Sequence, residues 1–226
     1  MREYHLVEVS CTNMRRWGRQ SLKGNWGTAL LASILFSVLI SIPLLSFKFL
    51  FHSNILEDVS NLYTFLVTGP LNLGYVTFII SMFRKKAASP IEVFYGFEYF
   101  FKALGLMIVM NILVLLWSLL FIIPGIIASL RYGMAFFVLA DNPDMKVLEV
   151  ISESKRLMWG NKMKLFCLHL SFLGWVILAL LTAGVGVIFL MPYLTATKAG
   201  FYEVANGNLK PFQTRFISAD DQGNHI

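Results

Sequence analysis

The sequence predicts an all-α integral membrane protein with six transmembrane helices. They are arranged as three pseudo-repeats, each an interfacial amphipathic helix followed by a transmembrane hairpin. Three observations carry this reading. Of 226 residues, 57% are hydrophobic and only 14% charged, with a mean hydropathy of +0.66, whereas soluble domains run nearer a quarter charged. The apolar residues gather into runs that reach the ~20 residues a spanning helix needs. A tyrosine recurs in like context near the returning end of each hairpin.

Residues 1–24 read as a basic, amphipathic segment on the cytoplasmic side, carrying Arg2, Arg15, Arg16, Arg19 and Lys23. They are too polar for a cleavable signal peptide. The transmembrane domain covers 25–205. Its first span is about 25–47 and its second about 62–83. From 103 to 140 the chain is apolar for too long to be one span, and "IIPGII" is expected to break it at Pro124-Gly125, since proline lacks the amide proton. The run 163–204 is expected to break at "TAGVG", 182–186. Residues 206–226 form a polar cytoplasmic tail that is expected to be disordered.

Lysine and arginine set the orientation. Arg84, Lys85, Lys86 and Lys102 follow span two, and Lys146, Lys155, Arg156, Lys162 and Lys164 follow span four. Lys198, Lys210 and Arg215 come at the end, whereas the opposite loops offer only Lys48. The positive-inside rule then places both termini in the cytoplasm. The net charge of +6 is distributed between spans rather than on one folded face, which argues against nucleic acid as a partner.

The repeat rests on "LNLGYVTFII" at Tyr75, "ASLRYGMAFF" at Tyr132 and "FLMPYLTATK" at Tyr193, with Pro70, Pro124 and Pro192 before them. Interfacial helices are expected near 90–101 and 143–159. In the first, "SPIE" at 89–92 forms a capping box with proline at N1. In the second, Asn142 caps, and Val147, Val150, Ile151, Ser154, Leu157 and Met158 form one apolar face, expected to lie at the headgroup boundary. "SLKGNWG" in the first copy echoes "LMWGNKM" in the third.

The motifs "LKGNWGTAL", "GPLNLGY", "LWSLLFIIPGIIASLRYGMAFFVLADNPD", "ISESKRLMWGNKMKLF", "LSFLGW" and "PYLTATKAGFYE" together resemble a bacterial integral-membrane family, the domain of unknown function 975. The resemblance spans about residues 10–205. It implies a multi-pass protein of the bacterial cell membrane and supplies no active site. A more distant similarity joins the family to the membrane portion of some glycerophosphodiester phosphodiesterases, whose catalytic domain has no counterpart here.

The candidate intramembrane polar residues are Arg131, Asn72, Asn111, His169 and Lys198. A charge inside a span costs at least ~2.5–3.5 kcal/mol on insertion scales. Arg131 lies nine residues before Ala140, ~14 Å along a helix, farther than a side chain snorkels. Two readings follow: a strut bonded to Asn72, Asn111 or freed carbonyls, which the sequence favours, or a contact for an anionic ligand. His169 stands in a lone "CLH", which suits an interhelical hydrogen bond better than a metal. Cys11 and Cys167 have neither disulfide nor zinc spacing. No hydrolase triad, HExxH or phosphate-binding loop is present. No cofactor and no metal are therefore expected. The function expected is a non-enzymatic accessory or lipid- or peptide-handling role, with a small transporter or channel around Arg131 as the alternative. Membrane lipids, a membrane protein or a second copy would be the partners.

Overall fold

The computed structural model describes residues 5–50, 54–86, 88–182 and 184–209, with the backbone alone for the helical residues among 42–57. The described residues are all-helical: α1 (Cys11–Leu22), α2 (Trp26–Leu50), α3 (Asn54–Phe83), a 3-10 helix (Pro90–Phe97), α4 (Phe100–Leu120), α5 (Ile122–Tyr132), α6 (Ala135–Asp141), α7 (Val147–Leu157), α8 (Lys162–Leu181) and α9 (Val185–Ala205). Four stretches are long and apolar enough to cross a membrane: Asp58–Phe83, Phe100–Leu120, Ile122–Asp141 and Lys162–Leu181. The pair α1–α2, bent by 95°, makes a fifth if counted as one span.

The long helices pair as hairpins, α2 with α3, α4 with α5 and α8 with α9, and α3 and α9 join the hairpins together. The first turn of α5 explains a shift from expectation. The chain breaks at Phe121, which is extended, rather than at Pro124-Gly125. Pro124 then lies in the first turn of a helix, where its missing N–H removes no intrahelical bond. Gly125 is packed against Ser118, with no room for a Cβ, which lets α4 and α5 turn tightly. The other break falls where the sequence puts it, with α9 entered through a left-handed Gly184.

Short helices crowd one end of the bundle. The 3-10 helix has the expected box: Ser89 Oγ accepts weakly from the Ile91 N–H at 3.5 Å and the Ser89 N–H donates to Glu92 Oε1 at 3.1 Å. It ends at Phe97 rather than near 101, because α4 takes over from Phe100. It lies tightly on α3: a Cβ at Gly74 would meet the Val93 carbonyl oxygen at 1.9 Å, and one at Gly96 the Pro70 carbonyl oxygen at 1.9 Å. Only glycine permits this backbone approach.

The helix expected from Asn142 begins later. Asn142 instead closes α6, and α7 starts at Val147, after Lys146, whose N–H donates to Glu149 Oε2 at 3.0 Å. Its stripe of Val150, Ile151, Ser154, Leu157 and Met158 is buried against the protein's own α4, α5 and α6, so these side chains are covered by the bundle rather than by headgroups. Asn161, also buried, ties down the N-terminal stretch: its Oδ1 accepts from the Val7 N–H at 2.8 Å and its Nδ2 donates to the His5 carbonyl at 2.9 Å. The tail expected at 206–226 lies outside the described residues beyond 209.

Candidate functional site

Three helices end together at the crowded end of the bundle. Arg84 directly follows α3, Asp141 closes α6 and Glu203 lies in the last turn of α9. Arg84 Nη1 and Nη2 each donate to one oxygen of Asp141 at 2.7 Å, and Nε donates to Glu203 Oε1 at 2.8 Å. The planar guanidinium thus grips Asp141 bidentately. The Tyr202 hydroxyl donates to Asp141 Oδ2 at 3.0 Å, and Asn208 Nδ2 to Glu203 Oε2 at 2.9 Å. The side chains of Arg84, Asp141 and Glu203 are 28%, 15% and 5% exposed. The Asp141 hydrogen bonds, followed by the charges of Glu203 and Asp141, outweigh burial and hold Arg84 more firmly protonated than a free arginine.

All four carboxylate oxygens accept a hydrogen bond, so the cluster is satisfied within the chain. It is a clasp between hairpins rather than a ligand-binding centre. Among the described residues no group of three or more His, Cys, Asp or Glu is arranged to hold a metal. Sequence reasoning missed this cluster, having counted Arg84 only as a topological charge. A signal was present: Arg84, Asp141 and Tyr202 each stand nine residues after Tyr75, Tyr132 and Tyr193.

The three tyrosines occupy related places. The Tyr75 hydroxyl is buried 2.8 Å from Ser33 Oγ of α2. Lys155 Nζ of α7 lies 5.7 Å from the Tyr132 ring centre, and the Arg19 guanidinium of α1 lies 5.9 Å from that of Tyr193. Both are cation–π distances.

The five polar residues singled out from the sequence are not brought into one site. Arg131 sits half-buried in the last turn of α5. Its carbonyl accepts from Ser154 Oγ of α7 at 2.9 Å, but its guanidinium has no hydrogen bond or ion pair among the described residues. The expected bonds to Asn72 and Asn111 are not made: Asn72 is half-buried and Asn111 exposed, neither hydrogen-bonded among the described residues. The reason is position. Arg131 is level with the amphipathic α7, and the C-terminal end of α5 favours a cation there. His169 on α8 and Lys198 on α9 are half-buried and also make no hydrogen bond among the described residues. The interhelical bond expected of His169 is therefore absent among them.

A groove opens elsewhere, floored by α9 between α2 and α8. Its volume is about 430 Å³, and its lining is apolar, with Trp26, Trp175, Leu178 and Leu190 prominent. Arg19 supplies the only charge in the lining, at the Tyr193 end. One turn earlier on α1, Arg15 Nη1 donates to the Ser171 carbonyl of α8 at 3.2 Å. Arg15 Nε is buried without a partner among the described residues.

The model of the family described as "Protein of unknown function (DUF975)" matches residues 9–129 and 119–208. The chain belongs to that family. No curated protein and no solved structure matches it.

Proposed function

We propose that this DUF975 member is a six-span protein of the bacterial cell membrane that handles lipid without enzymatic chemistry, with both termini cytoplasmic. Four stretches are long and apolar enough to cross a membrane; on this reading α2 and α9 are the other two spans, and α1 stays the interfacial helix of the first unit. The crowded end, with Arg84, Lys85, Lys86 and, on α7, Lys155 and Arg156, faces the cytoplasm on the positive-inside rule.

Three units account for the packing. The 3-10 helix of the second unit lies on α3 of the first, α7 of the third lies on α4, α5 and α6 of the second, and α1 of the first lies on α9 of the third. Each unit therefore leans on the returning helix of the one before, and the ring closes. The equivalent turns before α2 and α8 support the same reading: Gly24 and Gly160 both adopt positive φ, +86° and +76°, a conformation that suits glycine. The nine-residue spacing from each tyrosine to the clasp is a third point in its favour.

Lipid handling rests on the groove, an apolar slot within the ~300–1,000 Å³ range of small-molecule sites that opens beside spanning helices. The test is lipid retention. Leu178→Trp fills the slot from an exposed position, so insertion should be unchanged while lipid phosphorus per purified chain falls. Equal retention by this variant would overturn the reading. Orientation is checked with Cys11 and Cys167 replaced by serine and single cysteines placed at Glu149 or Val185. An impermeant thiol reagent on intact cells should label only 185.

A second reading, a small transporter or channel with its polar site around Arg131, draws support from that guanidinium, which has no hydrogen bond or ion pair among the described residues. It expects Arg131→Leu to abolish flux of an anionic solute while the chain still inserts and melts normally.

A further inference from the structure

We propose that Arg15 and Arg19 hold the phosphate of an anionic phospholipid whose acyl chain enters the groove, so that the site selects lipid by headgroup charge. This rests on the lipid-handling reading above and adds the class of lipid.

Arg15 and Arg19 are four residues apart on α1 and therefore share a face. Both meet the α8–α9 hairpin, Arg15 at Ser171 and Arg19 at Tyr193. Ser171 and Trp175 are likewise one turn apart on α8, so the arginine pair sits at one end of the slot and the apolar walls run away from it. At that end a buried guanidinium N–H, Arg15 Nε, lacks an acceptor among the described residues. Leaving such a donor unpaired is costly; Arg15 lies outside the lining, and a turn of its side chain toward the slot would bring the N–H to a phosphate oxygen. The planar fork of arginine matches phosphate better than a lysine would.

The sign of the headgroup follows from what surrounds the arginines. α1 contains no acidic residue, and none lines the groove. A choline or ethanolamine group would find no carboxylate there, whereas a net negative headgroup meets Arg19 in the lining, with Arg15 one turn away on α1. The slot runs seven residues along α9, from Tyr193 to Gly186, and seven along α8, from Trp175 to Thr182, ~10 Å in each case. That is about a third of the ~30 Å hydrocarbon core, enough for part of one acyl chain.

The test uses the full chain in phosphatidylcholine vesicles containing a minor fraction of lipid brominated on its acyl chains. Trp26 and Trp175 line the slot, so bromine within it quenches their fluorescence, and a Trp26→Phe, Trp175→Phe double variant gives the background of the other tryptophans in each arm. Brominated phosphatidylglycerol should saturate quenching at a lower fraction than brominated phosphatidylcholine. Arg19→Gln, at an exposed position that leaves the fold intact, should reduce that preference roughly fivefold, with Arg15→Gln acting alike. Arg19→Lys should keep part of it. Equal quenching by the two lipids, unchanged by either glutamine variant, would overturn charge selection while leaving the slot lipid-filled. No saturable quenching by either lipid would instead overturn the lipid-handling reading itself.

Discussion

The two ends of the bundle are built from the same kinds of residue and differ in how far the protein covers them, although Ile91, Phe101 and Leu148 at the surface of the clasp end are also exposed. At the clasp end, Leu139, Met158 and Phe201 are completely buried in protein. At the tips of the hairpins, Leu119, Ile122 and Leu181 are 83%, 79% and 78% exposed. The contrast also separates whole helices: 61% of the apolar window of Asp58–Phe83 is buried, against 17% for Phe100–Leu120. Apolarity therefore specifies an environment, not a partner. One end satisfies it with helices crossing at the end of the bundle, and on the reading above the other satisfies it with lipid tails, which are as apolar as leucine.

The largest break in this contrast should come at Arg84. Arg84→Met leaves Asp141 and Glu203 facing each other as two buried carboxylates without their cation, a loss of about 3–5 kcal/mol. Thermal unfolding in mild detergent should show the clasp end loosening, with the melting temperature falling steeply. Replacing all three charges with apolar residues should recover much of the loss, because the desolvation cost disappears with the attraction. If the single and triple variants melt alike, the charges are not coupled and the clasp is incidental.

Gly74→Ala comes next. The added methyl would overlap the backbone carbonyl of Val93, which cannot swing aside as a side chain could. The 3-10 helix must lift off α3, at about 1–3 kcal/mol. Proteolysis between residues 86 and 100 should accelerate in the variant. An unchanged cleavage rate would mean that the 3-10 helix can re-seat without leaving α3.

The hairpins were legible in the sequence because length and hydropathy alone separate a spanning run from its surroundings. The orientation drawn from lysine and arginine is a proposal that rests on the positive-inside rule. The two short helices were legible in outline as helices: the Ser89–Glu92 box and the α7 stripe can be read from spacing. What covers that stripe could not be read, since a headgroup and a neighbouring helix ask the same of Val150 and Leu157. The depth of Arg131 was reckoned from Ala140, and the sequence did not show that α7 meets the chain at the Arg131 carbonyl. The clasp was hidden for a different reason. Arg84, Asp141 and Glu203 are far apart in sequence, and each alone resembles an ordinary charge at a helix end. Only the common spacing from the tyrosines links them, and the third member is offset, Tyr202 holding the repeated place and Glu203 the charge.

The smallest expected effect sharpens the comparison most directly. Leu139 and Leu119 are the same residue in two apolar stretches, Ile122–Asp141 and Phe100–Leu120, one at 0% and the other at 83% exposure. Leu139→Ala opens a cavity among buried side chains and should cost about 2–5 kcal/mol. Leu119→Ala removes no protein contact of consequence. Its shift should stay within about 0.5 kcal/mol, in detergent and in vesicles alike, because the chain surrounding it is solvent rather than structure. Paired melts of the two variants read this difference without any ligand. A loss at Leu119 comparable to that at Leu139 would mean that the tips are covered by another protein surface, and the division between a protein-packed end and a lipid-packed end would then fail at its exposed side.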